Sequence, residues 1–527
     1  MASFQDLPNE IIEHILLRAD VGDIVHFQQI SKQCKAIVDS SIALHYKTEL
    51  EADGLEDGAD TSKSVTEKLR ILESQREAFD ASQFTSCQIF SLPRDTNRLE
   101  SEWHLSGNLI AWKQLPSQLM VTQIPSALKG IPAKQWLLDG VDWRTVVYFA
   151  IDPSQDLLVL LETRGHRWTL NILSLSTGKS HPDVQSSIQE TDDETDFGLM
   201  NMPSEPLAVF AGYVVVNLKT LRDGAWIKKL TVFDWKTGNV HLKIISGDDF
   251  GAAFLSSRYL ILAHTLNEYQ PALSVVDLSL QRRIDPTAPP SPLADLRPDF
   301  VFKLPETHGH NQPTQPHVVS SPRPSSHPST PFRTGEDARV IIVTWFGAVA
   351  NCNSDFASTF HSWILLKCIR RAQEDGLPTK IFTWDEWSEG TRLVPAMYDA
   401  VDVHQIYGTR YALEADAVGR VSGSEVALYV DDFAQLAARR LHDDYKLDRV
   451  RTKNVYHYPK YTFKLAPVLK DGDVEAEMIA RRYALTVKLD HELKRQVVTP
   501  YLGEDCIVLH VKFDKRFGDP KLYILSF

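Results

Sequence analysis

Tyr213-Val-Val-Val216, followed after a polar interval by Val232-Phe-Asp-Trp-Lys-Thr-Gly238, is the stretch on which the fold turns. A β-branched apolar run leads to a second strand that ends in a Thr-Gly turn, the pattern of a buried hairpin. The same pair recurs as Leu157-Leu-Val-Leu-Leu161 with Ile172-Leu-Ser-Leu-Ser-Thr-Gly178, and as Tyr259-Leu-Ile-Leu262 with Val275-Val-Asp-Leu-Ser-Leu280. Similar pairs can be drawn at 107–124, 340–368, 411–432 and 506–526. Seven hairpins between residues 85 and 527 predict a propeller-like all-β domain, each hairpin belonging to a four-stranded blade. Their irregular spacing is compatible with six to eight blades, and a pair of packed sandwiches is the rival architecture. The terminal strand Leu522-Tyr-Ile-Leu-Ser-Phe527 is expected to pair near Cys87-Gln-Ile-Phe-Ser-Leu92 and close the ring, because closure removes bare sheet edges.

Two regions depart from this pattern. Residues 305–335 carry seven prolines (305, 313, 316, 322, 324, 328 and 331) among Ser, Thr, His and Gln, which predicts a disordered insertion. Before residue 85 the period is helical. Pro8 suits the first helical position, and Ile11, Ile12, Ile15 and Leu16 then form one broad apolar face. Gly22-Asp23 predicts a break, with Asp23 capping a helix from Ile24 to Ile30. Ser31 is placed to cap a third helix carrying Cys34, Ile37 and Val38 inward. Ser64-Val-Thr-Glu67 is a capping box that opens a further helix over 64–80. Periodicity alone is met by a helical hairpin packed on its own domain, but three short helices bury little core and leave apolar surface for a partner.

The residues point further. Leu7-Pro8-x-Glu10-Ile11-Ile12-x-x-Ile15-Leu16, then Asp23-Ile24-Val25, then Ile30-Ser31-Lys32-x-Cys34-Lys35-x-Ile37, resembles the F-box in order and spacing. The Ser40-Ser-x-Ala-Leu44 run, with Tyr46-Lys47 and Glu49-Leu50, looks like the extension of fungal F-box proteins. The capping box and the change of period give a helical linker at 49–84 and the β domain at 85–527. The resemblance covers about residues 4–58 and implies an F-box at 1–48. It also implies docking on the Skp-type adaptor of cullin–RING ubiquitin ligases through Leu7, Pro8, Ile11, Ile15, Leu16, Ile24, Val25, Cys34 and Val38. Which of these face the adaptor and which face the module's own core is not separable at this stage. Cys34 departs from the family, where many members carry an aromatic, usually Trp. In the β domain, Val232–Gly238 resembles the third-to-fourth strand region of WD-repeat blades, without that family's Gly-His and Trp-Asp landmarks.

Composition narrows the function classes. An apolar content of 43% and a charged content of 24% are those of a soluble globular chain. The formal charge of −13 argues against non-specific binding to nucleic acid or to an anionic membrane. No run has the apolar length of a membrane span. Five scattered cysteines (34, 87, 352, 368 and 506) form no paired motif, and no asparagine lies in a glycosylation sequon, which together place the chain in the cytoplasm or nucleus.

Motif chemistry is absent. Thr177-Gly-Lys-Ser180 has the tail of a phosphate loop, but Leu173 stands where the first glycine is needed, so a hairpin turn is the reading. Asp196-Phe-Gly198 and Asp249-Phe-Gly251 lack the rest of a kinase site. His308, His310, His317 and His327 fall in the proline-rich tract, where nothing fixes a tetrahedron for zinc. Trp384-Asp-Glu-Trp387 is read as tryptophans filling space between blades. No catalytic, cofactor or metal residue is assigned. The expectation is a substrate-receptor subunit of an SCF-type ubiquitin ligase, its F-box on the adaptor and its β domain on a target protein. The alternatives are an adaptor-binding protein outside a ligase, and a propeller enzyme or carbohydrate-binding protein.

Overall fold

The computed structural model describes residues 7–80, 84–92, 103–114, 118–164, 167–185, 188–191, 206–222, 224–266, 270–281, 283–305, 313–321, 330–347, 356–377, 379–395, 403–414, 425–433, 481–488, 497–512 and 520–527. Helices α1 (Asn9–Leu16), α2 (Val21–Ile30), α3 (Lys32–Ser40) and α4 (Ile42–Ala52) come first, and α5 (Val65–Asp80) follows a short strand, Leu55–Asp57. Pro8 is the cap of α1 rather than its first residue, its carbonyl accepting from the Ile11 and Ile12 amides. Gly22-Asp23 does not break α2. Asp20, in extended backbone, takes the cap, and Gly22 and Asp23 lie within the first turn, the Asp20 carbonyl accepting from the Asp23 and Ile24 amides at 3.0 and 3.1 Å. Ser31 does cap α3: its Oγ accepts from the Cys34 amide at 3.1 Å. The box before α5 also forms, Glu67 Oε2 accepting from the Ser64 amide at 2.8 Å and Ser64 Oγ from the Glu67 amide at 3.3 Å.

Beyond α5 the chain makes seven sheets, each containing a four-stranded meander. We number the blades in chain order. In blade 1 the strands are Trp103–Ser106, Leu109–Gln114, Gln118–Gln123 and Lys134–Asp139; blade 2 runs from Val146–Asp152 to Ile188–Thr191, and blade 3 from Leu207–Phe210 to Val240–Ser246. Blade 4 runs from Gly251–Phe254 to Phe300–Lys303, blade 5 from Pro313–Ser320 to Arg392–Pro395, and blade 6 from Ile406–Tyr407 to Arg481–Lys488. Blade 7 takes Val497–Leu502, Cys506–Lys512 and Lys521–Ser526 from the C-terminus and Ser86–Ser91 from the N-terminal side. This is the ring closure expected from the sequence, in register as Cys87 opposite Leu525 and Ile89 opposite Tyr523. The first strands of blades 1–5 line an axial cavity of about 70 Å³, room for a few waters. All seven predicted hairpins are the second and third strands of the seven blades.

Blade interfaces supply the core. Leu158, Val159, Val232, Leu260, Val275, Ile341 and Val508 are fully buried because a middle strand is covered on both faces. Trp387, in the short helix Trp384–Trp387, is buried against Phe302 and Phe360, with its indole N–H on the Lys303 carbonyl at 2.9 Å, so it fills space between blades 4 and 5, and the half-buried Trp384 lies edge-on against it. Thr177–Ser180 is a turn, as read, with Gly178 at φ +68°. Asp249-Phe-Gly251 connects blades 3 and 4, and Asp196-Phe-Gly198 lies outside the described residues.

Two further expectations are corrected. The disordered insertion is not continuous: Pro313–Ser320 is the innermost strand of blade 5, with Val318 and Val319 buried, and Phe332–Thr334 pairs with Leu55–Asp57. Proline is tolerated there because a first strand has only one neighbour in its own sheet and needs fewer amide donors. Residues 306–312 and 322–329 lie outside the described residues, and so do His308, His310 and His327. Secondly, the β domain is not free of helix. After Phe356–His361 the chain forms α6 (Ser362–Glu374), whose Ile364, Leu365, Ile369 and Ala372 pack into the core of blades 4 and 5. It then adds Lys380–Phe382 as a fifth, parallel strand on blade 4, covering that edge.

Candidate docking surface of the helical module

Helix α1 has two apolar faces because isoleucines occupy adjacent positions. Ile12 (3% exposed) and Leu16 turn inward, with Val21, Ile24, Phe27, Ile37, Val38 and Leu44, and make the module's own core. Leu7, Ile11 and Ile15 recur at every fourth residue and point outward, Ile11 and Ile15 being 46% and 45% exposed. Val25 on α2 is exposed as well, and so is Pro8. The structure thus divides the nine residues implied by the sequence. Leu7, Pro8, Ile11, Ile15 and Val25 are outside, Leu16, Ile24 and Val38 are core, and Cys34 is half-buried beneath the α3 cap. Ile30, 73% exposed, and Ile42, 50% exposed, are further outward apolar residues of the module, outside the nine. Periodicity places Ile30 on the stripe of Ile24 and Phe27, but the helix ends there and Ser31 turns the chain away.

Polar contacts hold this surface in shape. Lys47 on α4 donates to the carbonyls of Leu17 and Ala19 at 3.0 and 2.6 Å, closing the C-terminal end of α1. Ser41 caps α4 and donates to Glu13 at 2.5 Å. The outer isoleucines therefore stand on a scaffold already satisfied from within.

The module is fastened to one end of the ring, formed by the connections between first and second and between third and fourth strands. Leu55–Asp57 pairs with Phe332–Thr334 from blade 5. Tyr46 donates from its hydroxyl to Asp57 at 3.0 Å; burial first, then Asp57, holds its phenol well above the usual range. From α5, Arg76 spans Glu49 and Asp53, both at 2.5 Å, and Phe79 stacks on the terminal Phe527 at 3.8 Å with the Arg410 guanidinium over its ring. Gln75 donates to Asp505 at 2.8 Å, and Lys129 lies 3.0 Å from both Glu504 and Asp505. Burial would lower the Lys129 ammonium, but the two carboxylates override it and raise it. Gln75 and Phe79 thus join α5 to blades 6 and 7, and Lys129 ties blade 1 to the same blade 7 carboxylates, so module and ring share one polar seam.

Among the described residues no group of three His, Cys, Asp or Glu is arranged to hold a metal ion, and no helix is long and apolar enough to cross a membrane. A family model described as the F-box domain matches residues 4–45. No curated protein matches the chain. Among solved structures, Hsv2 of Kluyvelomyces marxianus is 10% identical, with 79% of this chain and 93% of that chain covered and a TM-score of 0.32. The polysaccharide lyase Uly1 is 9% identical (90% and 97% covered, TM-score 0.35), and extracellular domains 1-2 of Drosophila Semaphorin 1b are 10% identical (84% and 88%, TM-score 0.35). Such scores carry no weight for function, and the seven-bladed ring rests on this chain's own strand pairing.

Proposed function

We propose that this protein, an N-terminal F-box domain followed by a seven-bladed propeller, is the substrate-receptor subunit of an SCF-type cullin–RING ubiquitin ligase. F-box domains are non-catalytic interaction modules that bind a Skp-type adaptor, the function typical of such receptors. The observation that carries the reading is the outward stripe of Leu7, Ile11 and Ile15, with Val25 beside it, on a module whose core is filled without them. We assign Leu7, Pro8, Ile11, Ile15 and Val25, with Ile30 at their margin, to the adaptor. Leu16, Ile24 and Val38 shape that face from beneath, and Cys34 holds the α3 turn. A few such anchors dominate affinity in a helix-into-groove contact.

The propeller's part is to hold a target protein. Raising the target's concentration near the ubiquitin-loaded enzyme is the receptor's whole contribution, and it needs no nucleophile or base. The polar seam supports this reading, since a target held on a fixed ring has a fixed distance from the adaptor. We place the protein in the cytoplasm or nucleus, where adaptor and cullin would meet it.

The test is co-expression of the full chain with a Skp-type adaptor and a cullin, followed by purification of the complex. Adaptor and cullin are expected in stoichiometric amounts with the wild type and neither with Ile11→Asp/Ile15→Asp. Adaptor without cullin would favour a role outside a ligase; unchanged adaptor recovery in the double variant would sink the assignment.

A further inference from the structure

Among the described residues, the second and third strands of blade 3, Tyr213–Arg222 and Ala225–Asp234, are ten residues each, and the corresponding strands of the other blades have five to eight. Their hairpin, spanning 213–234, therefore extends farther than those of the adjacent blades, 157–174 and 259–277. It does so at the end of the ring opposite the helical module, which stays open when the module is occupied. Strand alternation puts Trp226, Lys228 and Leu230 on one face, toward blade 4, and the register sets Lys219 directly opposite Lys228. Trp226, nearest the tip, is 37% exposed.

Two ammonium groups side by side repel unless counter-charge is supplied. Here the connection between blades 3 and 4 supplies one carboxylate. Asp249 meets Lys219 at 3.1 and 3.2 Å. Lys228 instead donates to the neutral carbonyl of Phe250 and lies 5.1 Å over that ring. Burial pushes the Lys228 ammonium down to about 8; Asp249 opposes the shift and Lys219 adds to it. In a chain of net charge −13, this is a local excess of half-buried positive charge beside an exposed indole.

We propose that the notch between blades 3 and 4, bounded by Trp226, Lys219, Lys228 and Asp249, receives an acidic side chain of the target, carboxylate or phosphoryl, while a neighbouring apolar residue of that segment packs on Trp226. An incoming anion supplies the counter-charge that one aspartate cannot, in a half-desolvated position where such a bond is strong. The inference rests on the receptor reading above, in that the ligand is taken to be part of a target protein.

The test uses the full chain co-purified with the Skp-type adaptor and three short fluorescein-labelled peptides read by anisotropy. One alternates glutamate and leucine, one carries phosphoserine in place of glutamate, and one carries glutamine. Either acidic peptide is expected to bind and the glutamine peptide is not, and whichever acidic peptide binds tighter identifies the source of the anion. Lys228→Met, Lys219→Met and Trp226→Ala should each weaken binding by about tenfold or more. Arg144→Met, an exposed cation at the same end of the ring, should leave it unchanged. Equal binding of the glutamine peptide, no binding of either acidic one, or an undiminished affinity in Lys228→Met would overturn the proposal. The adaptor arm is separate. The Ile11→Asp/Ile15→Asp chain should lose adaptor yet keep the acidic peptide, and a wild type that recovers no adaptor on co-expression but still binds the peptide refutes the receptor reading alone.

Discussion

Replacing Lys129 by Met should damage the seam between module and propeller more than any exposed substitution. The ammonium is 3.0 Å from Glu504 and 3.0 Å from Asp505, with both carboxylates as buried as the lysine, and lies 5.0 Å over the Phe332 ring. Asp505 keeps amide donors from Gln75 at 2.8 Å and Asn108 at 3.2 Å, but these are neutral and cannot balance two carboxylates. Breaking a buried pair from one side costs about 3–5 kcal/mol, against a typical total of about 5–15 kcal/mol for a folded domain. Substituting all three as Lys129→Met/Glu504→Gln/Asp505→Asn removes the unbalanced charge and should recover most of the loss, because neutral replacement of a buried ion group is often nearly free. Guanidinium unfolding followed by circular dichroism measures both. A second readout is the distance between spin labels placed on α2 and on blade 4, which should broaden in Lys129→Met as α5 loosens. Adaptor affinity should not change, since the outer face of α1 does not touch the seam. A loss below about 1 kcal/mol in Lys129→Met, or no recovery in the triple variant, would refute the view that this charge group holds the two parts together.

Other outcomes follow from the same structure. Leu16→Ala should cost about 2–5 kcal/mol in the melting of the helical module. Ile15→Ala should leave melting within about 0.5 kcal/mol and weaken adaptor binding by roughly 1 kcal/mol, the value of burying the remaining half of an isoleucine; calorimetry and titration separate the two. Lys228 has a folded-state value near 8 against 10.5 unfolded, so the unfolded chain binds more protons between them and stability rises with pH across that window. Lys228→Met should abolish the rise and be more stable at pH 7, by up to about 3 kcal/mol, in unfolding curves taken from pH 7 to 10.5. Gly58→Ala would put a methyl 1.9 Å from the Thr330 carbonyl oxygen, forcing Leu55–Asp57 away from Phe332–Thr334. A loss of about 1–3 kcal/mol and faster amide exchange at Glu56 should report it.

Two features stay legible at sequence level because they are local. Capping needs only a side-chain oxygen three residues from an amide, and Ser31 and Ser64 met that condition as read. Hairpin strands at the middle of a blade are covered on both faces, so their runs of Val, Leu and Ile announce themselves. First and fourth strands do not. Pro313–Ser320 has one sheet neighbour and a polar composition, and it was read as disorder although Val318 and Val319 are buried. Helix α6 is hidden within the 340–368 hairpin pattern because a buried helix and a buried strand offer the same apolar residues over so short a span. Asp23 is not the cap of α2 because Val21 packs into the module core and starts the helix three residues earlier.

The docking face divides in the same way. The order and spacing of Leu7, Pro8, Ile11, Ile15, Ile24 and Val25 carry the resemblance to the F-box, because they lie within one short segment. Their assignment to inside or outside depended on where α2, α3 and α4 cross α1, and crossing angles are written in contacts between helices rather than in any one of them. Farther apart still, Gln75 and Lys129 meet Asp505 and Glu504 from opposite parts of the chain, and Lys219 meets Asp249 across a blade boundary. A lysine has no pattern in sequence that distinguishes a solvated surface from a seam or a notch. Its role is set by how much water the fold removes around it and by how many carboxylates the fold leaves within reach.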